Sequence, residues 1–138
     1  MNTALIDPVE ASKLVMSLSI LRPRIDAVTS EFCRLLEYAA ESVRLKFPSD
    51  ERLIAVGIEE ILETVTNPTS APEVMSRYAN LARGAGIDET HLPVLLASIQ
   101  TAMAETAGYT WTDALEDHWT CWFDTLAELA THHAAQAA

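Results

Sequence analysis

Long apolar runs, basic residues, glycine and paired cysteines are all scarce in this 138-residue chain. No apolar stretch approaches the ~20 residues that cross a bilayer, and no basic, then apolar leader opens the chain, so a cytoplasmic location is expected. Nine Lys and Arg face twenty Asp and Glu, a formal charge of −11. Nucleic acid and anionic membrane surfaces are therefore not expected as partners, because both are bound by neutralising phosphate with cations. The acidic balance reads as solubility. Cys33 and Cys121 form no CxxC motif and no dense disulfide framework, and they read as reduced, buried thiols. Four glycines make no phosphate-cradling loop. No alternating run flanked by turn residues reads as a strand. No His/Cys/Asp/Glu cluster has zinc-site spacing, and no Ser/His/Asp or Cys/His arrangement can be argued from spacing. Histidine is missing between Met1 and Thr90.

What remains is helix. Apolar residues make up 49% of the chain, and their period is 3.6. A single domain spanning 1–138 is expected, with the alanine-rich residues 131–138 fraying. Asp7 and Pro8 open a first helix with Leu14, Val15 and Leu18 as its stripe. Pro23 starts a second, whose face carries Ile25, Val28, Phe32, Leu35 and Leu36. A short segment from Ala40 to Phe47 is closed by Pro48. Ser49 or Asp50 caps the next helix, with Ile54, Ile58, Ile61, Leu62 and Val65 inward. Residues 67–72 read as a loop, and Pro72 opens a helix carrying Val74, Met75, Tyr78 and Leu81, stopped by Gly84-Ala85-Gly86. Asp88 caps a helix with Leu92, Leu95, Leu96, Ile99 and Met103, ended by Gly108. Thr110 caps the last helix, whose stripe is Leu115, Trp119, Trp122, Leu126, Leu129 and His133. The expected class is all-α, with six to seven helices.

Several strings, in order, resemble the globin domains of bacterial haemoglobins and flavohaemoglobins. They are Leu21-Arg22-Pro23 with Phe32 and Leu36; Val43-Arg44 with Phe47-Pro48; Gly86-Ile87 with His91; and Thr110-Trp111-Thr112 with Trp119, Phe123, Leu126 and Ala127. The resemblance implies a globin-like fold over about residues 10–133. It places Cys33, Phe47, Ile54, Tyr78 and Ala82 around the pocket that in the family holds haem.

The departures from the family fall on the residues that carry its chemistry. The family's iron-binding histidine falls at Ala82, its distal tyrosine at Cys33 and its distal glutamine at about Ile54. Haem iron needs an axial ligand such as a neutral imidazole, and alanine offers none. The expected cofactor is therefore none. The expected function is a haem-less globin acting as a sensor or protein-interaction domain, with an apolar molecule as a possible occupant of the former pocket. Ile54, Ile58, Met75 and Leu95 are bulky enough to help fill that space. An alternative keeps haem b with unusual ligation through Tyr78, His91 or Cys33, in oxygen or nitric oxide binding or redox sensing. Tyr78 and Met75 read more simply as core, Cys33 as a small apolar filler and His91 as a corner residue. Trp111, Trp119, Trp122 and Phe123 are more aromatic surface than one helix face needs. Adjacent Trp122 and Phe123 cannot share a direction, so one is expected to be exposed for a protein partner or a homodimer through the last two helices. With neither iron ligand nor distal polar groups aligned, the chain is expected not to be an enzyme.

Overall fold

A computed structural model describes residues 6–38, 50–87 and 89–137. The short segment expected from Ala40 to Phe47, with Phe47 itself, Pro48 and Ser49, lies outside the described residues, as does Asp88. No strand occurs among the described residues. The α-helices are α1 (Pro8–Leu21), α2 (Ile25–Leu36), α3 (Glu51–Glu63), α4 (Ala71–Gly84), α5 (Leu92–Ala107) and α6 (Asp113–Ala137). Helix α6 continues to Ala137, through the alanine-rich stretch that the sequence leaves as a fraying tail.

The stripes predicted from periodicity make one core. Leu14, Leu18, Val28, Phe32, Ile58, Leu62, Met75, Leu96, Ile99, Met103 and Leu126 are all buried in it. Helix α4 packs along α6, α2 packs along α5, and α1 crosses both α5 and α6. By contrast α3 and α4 touch only sparingly. One member of a predicted stripe is misplaced: Leu81 is 61% exposed. Helix α4 buries Ala71, Met75 and Ala79, and Leu81 lies on the far side of that row.

Several helix ends differ in detail from the sequence expectation. Asp7 occupies the N-cap of α1, but its side chain makes no capping bond. Pro23 lies in a 3₁₀ turn, Arg22–Arg24, and α2 starts only at Ile25. The loop before α4 contains a 3₁₀ turn, Pro68–Ser70, so α4 begins one residue before Pro72. Asp50 does cap α3, Oδ1 accepting from the Arg52 amide at 2.9 Å. For α6 the capping hydroxyl is Thr112, which accepts from the Leu115 amide at 3.1 Å. Thr110 is instead in a 3₁₀ turn, where its hydroxyl donates to the Ala107 carbonyl. The C-terminus of α4 closes as a Schellman turn. Gly86 has φ 84°, the Ile87 amide donates to the Ala82 carbonyl at 2.8 Å, and the Gly86 amide donates to the Arg83 carbonyl at 3.0 Å. Buried Ile87 supplies the apolar contact that accompanies this turn.

Helix α6 is the spine of the molecule. Trp119, Trp122 and Phe123 are all buried, so the expectation that one adjacent aromatic is exposed for a partner is corrected. The reason is that α6 is covered on more than one side. Trp119 faces α1, its Nε1 donating to Ser17 Oγ at 2.9 Å. Trp122 faces α3, its Nε1 donating to Thr64 Oγ1 at 3.0 Å. In both cases the accepting hydroxyl also donates to a carbonyl of its own segment, Leu14 or Ile61. Both indole N–H groups are thereby satisfied in the core.

Candidate functional site

The residues assembled by resemblance lie on α2, α3 and α4. Cys33 comes from the last turn of α2 and is half-buried. Ile54 and Ile58 are buried on one face of α3. Met75 is buried on α4, and Tyr78 and Ala82 follow on that helix, partly buried against the core. His91 is the last residue of the 3₁₀ turn Glu89–His91, at the corner where α5 begins. Cys121, expected to be buried, is exposed on α6. Both cysteines are free thiols.

What joins α3 to α4 is a pair that the sequence reading missed. The Tyr78 ring lies against Gly57. A Cβ at Gly57 would stand 3.3 Å from Tyr78 Cε1 and 3.4 Å from its Oη. Glycine at position 57 lets the ring seat this closely, since a methyl group there would press it back by a few tenths of an ångström. Tyr78 Oη donates to Glu60 Oε1 at 3.0 Å, across to α3. Arg77 pairs with the other oxygen of the same carboxylate. Its guanidinium also stands 5.4 Å from the Tyr78 ring centroid. Glu60, Arg77 and Tyr78 therefore form one polar latch over the apolar ends of α3 and α4. A second ion pair, Arg22 Nε to Glu63 Oε1 at 2.7 Å, ties the corner before α2 to the same helix.

The latch decides what these side chains can do chemically. Burial and the neighbouring Glu60 carboxylate push the Tyr78 phenol up, from 10.0 to about 12. A tyrosinate is thus strongly disfavoured at neutral pH. Burial, reinforced by Glu51, also raises the Cys33 thiol, so a thiolate is disfavoured there too. Ala82 has no donor atom beyond its backbone, and its carbonyl is committed to Ile87. No group of three His, Cys, Asp or Glu side chains among the described residues could hold a metal ion.

If a haem lay between α3 and α4, as the resemblance implies, it would meet the Tyr78 ring where the two helices approach at Gly57. Among the described residues there, Ala82 offers no ligand atom. A groove of about 520 Å³ is bordered by Val56, Glu59, Glu60 and Glu63 of α3 and by Val74 of α4, so it reaches the latch carboxylate. A second depression runs along the exposed side of α4, past Pro72, Arg77 and Leu81. Cys33, Ile54 and Ala82 line neither. No helix among the described residues is long and apolar enough to cross a membrane.

Neither a family model nor a curated protein matches the chain. A solved structure does. It is an engineered carbene transferase described as a nitric oxide dioxygenase from Rhodothermus marinus. The likeness covers 96% of this chain and 95% of that one, with a TM-score of 0.79 and 22% sequence identity. The chain has a globin fold, as its sequence strings imply. The expectation that it is not an enzyme is corrected by the same comparison, because the matching protein is itself an enzyme. That expectation tied catalysis to particular aligned side chains, whereas one fold hosts many chemistries.

Proposed function

We propose that this protein is a globin fold that works without haem, as a sensor or interaction domain whose signal is occupancy of the space between α3 and α4. The observation that carries the reading is the Tyr78 ring seated on Gly57, where a cofactor would otherwise separate the two helices. Ala82 supports it, since the position that supplies an imidazole in the resembling family has no ligand atom to offer. Small apolar molecules are the fitting occupants, because Ile54, Ile58 and Met75 supply buried hydrocarbon on these two helices. The test is the absorption spectrum and iron content of protein produced with haem supplementation. No stoichiometric Soret band is expected. A stoichiometric band would overturn the reading.

A second reading keeps haem, with His91 as the axial ligand. The extent of the likeness to a nitric oxide dioxygenase favours it. His91 sits at the start of α5, so this reading requires the α4–α5 corner to rearrange. If His91→Ala abolished a Soret band present in the native chain, this second reading would replace the first.

A further inference from the structure

The Tyr78 side chain shows what its own slot accepts. The ring rests on backbone at Gly57 and on the core, and the hydroxyl reaches a carboxylate at the rim. The slot is therefore about one aromatic ring thick, bounded by the Gly57 backbone and the core, with the Arg77 guanidinium 5.4 Å from the ring centroid and one hydrogen-bond acceptor at the mouth. Glu60 is only partly buried, and its Arg77 partner is half-exposed, so the acceptor stays in contact with solvent. Tyr78 is joined to α4 through a side chain with rotatable bonds, and the exposed Arg77–Glu60 pair beside it contributes little.

We propose that this slot is a binding site for a small phenol-like molecule, a flat aromatic ring with one hydrogen-bond donor, which displaces the Tyr78 ring and donates to Glu60 in its place. The inference rests on the haem-free reading, and it adds the chemical class of the occupant. Glu60 supplies selectivity. A ring of the same shape without a donor leaves the carboxylate with only Arg77, while a donor restores the bond that Tyr78 makes. Carboxylate-bearing aromatics are rejected by Glu60 itself. In the resting protein the tethered ring competes with any free phenol, so native affinity is lower than that of the empty slot.

The probe is p-cresol, which has the atoms of the tyrosine side chain beyond Cα. Toluene is the control without a donor. Binding is followed by calorimetry and by the shift of the thermal midpoint in the native chain, in Tyr78→Ala and in Tyr78→Ala combined with Glu60→Ala. Tyr78→Ala is expected to bind p-cresol saturably and about tenfold more tightly than toluene. The double variant is expected to bind both alike. The native chain is expected to bind p-cresol saturably but at least about tenfold more weakly than Tyr78→Ala. Equal affinity for both probes in Tyr78→Ala overturns the proposal, as does no binding at all. Binding confined to the variant overturns it too, because the slot would then be a product of the substitution. Should Tyr78→Ala not fold, Glu60→Ala in the otherwise native chain carries the test, and a retained preference for p-cresol refutes the role of Glu60. A Soret band in the native protein would end the haem-free reading and leave the probe results standing, so the two failures are separable.

Discussion

Helix α3 is held at two points one turn apart, and the two are built differently. At Thr64, just beyond its last turn, the hydroxyl accepts from the Trp122 indole, and both residues are all but excluded from solvent. At Glu60 the carboxylate takes a phenol and a guanidinium, and the Arg77 side chain is half in water. The first junction joins α3 to the spine of the molecule through a large ring in the core. The second joins it to α4 through a surface pair. Burying an indole contributes several kcal/mol, whereas an exposed ion pair contributes about 0–1 kcal/mol. The lesson is that α3, which packs mainly on α2, is tied to α6 by a buried hydrogen bond and to α4 by a partly exposed polar latch.

That comparison is open to attack, starting with the largest effect. Trp122→Ala removes the indole and leaves a cavity, with an expected loss of about 3–5 kcal/mol in chemical denaturation. A loss below 1 kcal/mol would mean the two junctions do not differ in kind. Thr64→Val keeps the shape and removes the acceptor, stranding the Trp122 N–H in the core. The expected loss is about 1–3 kcal/mol by the same measurement. An unchanged midpoint would show that the hydrogen bond is dispensable and that ring packing alone holds the junction.

The smallest effect is at the latch and is read by pH. The folded state raises the Tyr78 phenol from 10.0 to about 12, so the protonated form is favoured by folding. Its stabilising contribution is complete below pH 10. It is lost between pH 10 and about 12, as the unfolded chain ionises first. Thermal midpoints measured over that window are expected to fall more steeply for the native chain than for Tyr78→Phe. Parallel curves would show that the phenol ionises as freely in the folded state as in the unfolded chain.

Much of this architecture is legible in the sequence. Period 3.6 located the buried rows of α3 and α5, because long amphipathic helices carry their packing face in their spacing. The weaker points were local competitions. Thr110 and Thr112 are equally good capping residues, and the 3₁₀ turn Gly108–Thr110 decided between them. The sequence groups Leu81 with Val74, Met75 and Tyr78, but α4 buries the row of Ala71, Met75 and Ala79. Trp122 and Phe123 were expected to divide between core and surface, since a helix packed on one side can bury only one of two neighbours. Helix α6 is packed on several sides, a property of the assembled fold that no single helix encodes. The Gly57–Tyr78 contact lay beyond sequence reasoning because it joins two helices across a loop. One signal was available: a lone glycine inside an apolar stripe, where it costs about 1 kcal/mol relative to alanine, marks a close approach by something else.

Positions 57 and 78 occupy a single volume, with the hydrogen of one residue standing where the ring of the other needs room. Such a pair has an inheritance rule. A methyl group can enter at 57 if the ring at 78 gives by a few tenths of an ångström, so changes at the two positions are coupled. The coupling bears on position 82 as well. A histidine in place of Ala82 would still share the space between α3 and α4 with the Tyr78 ring.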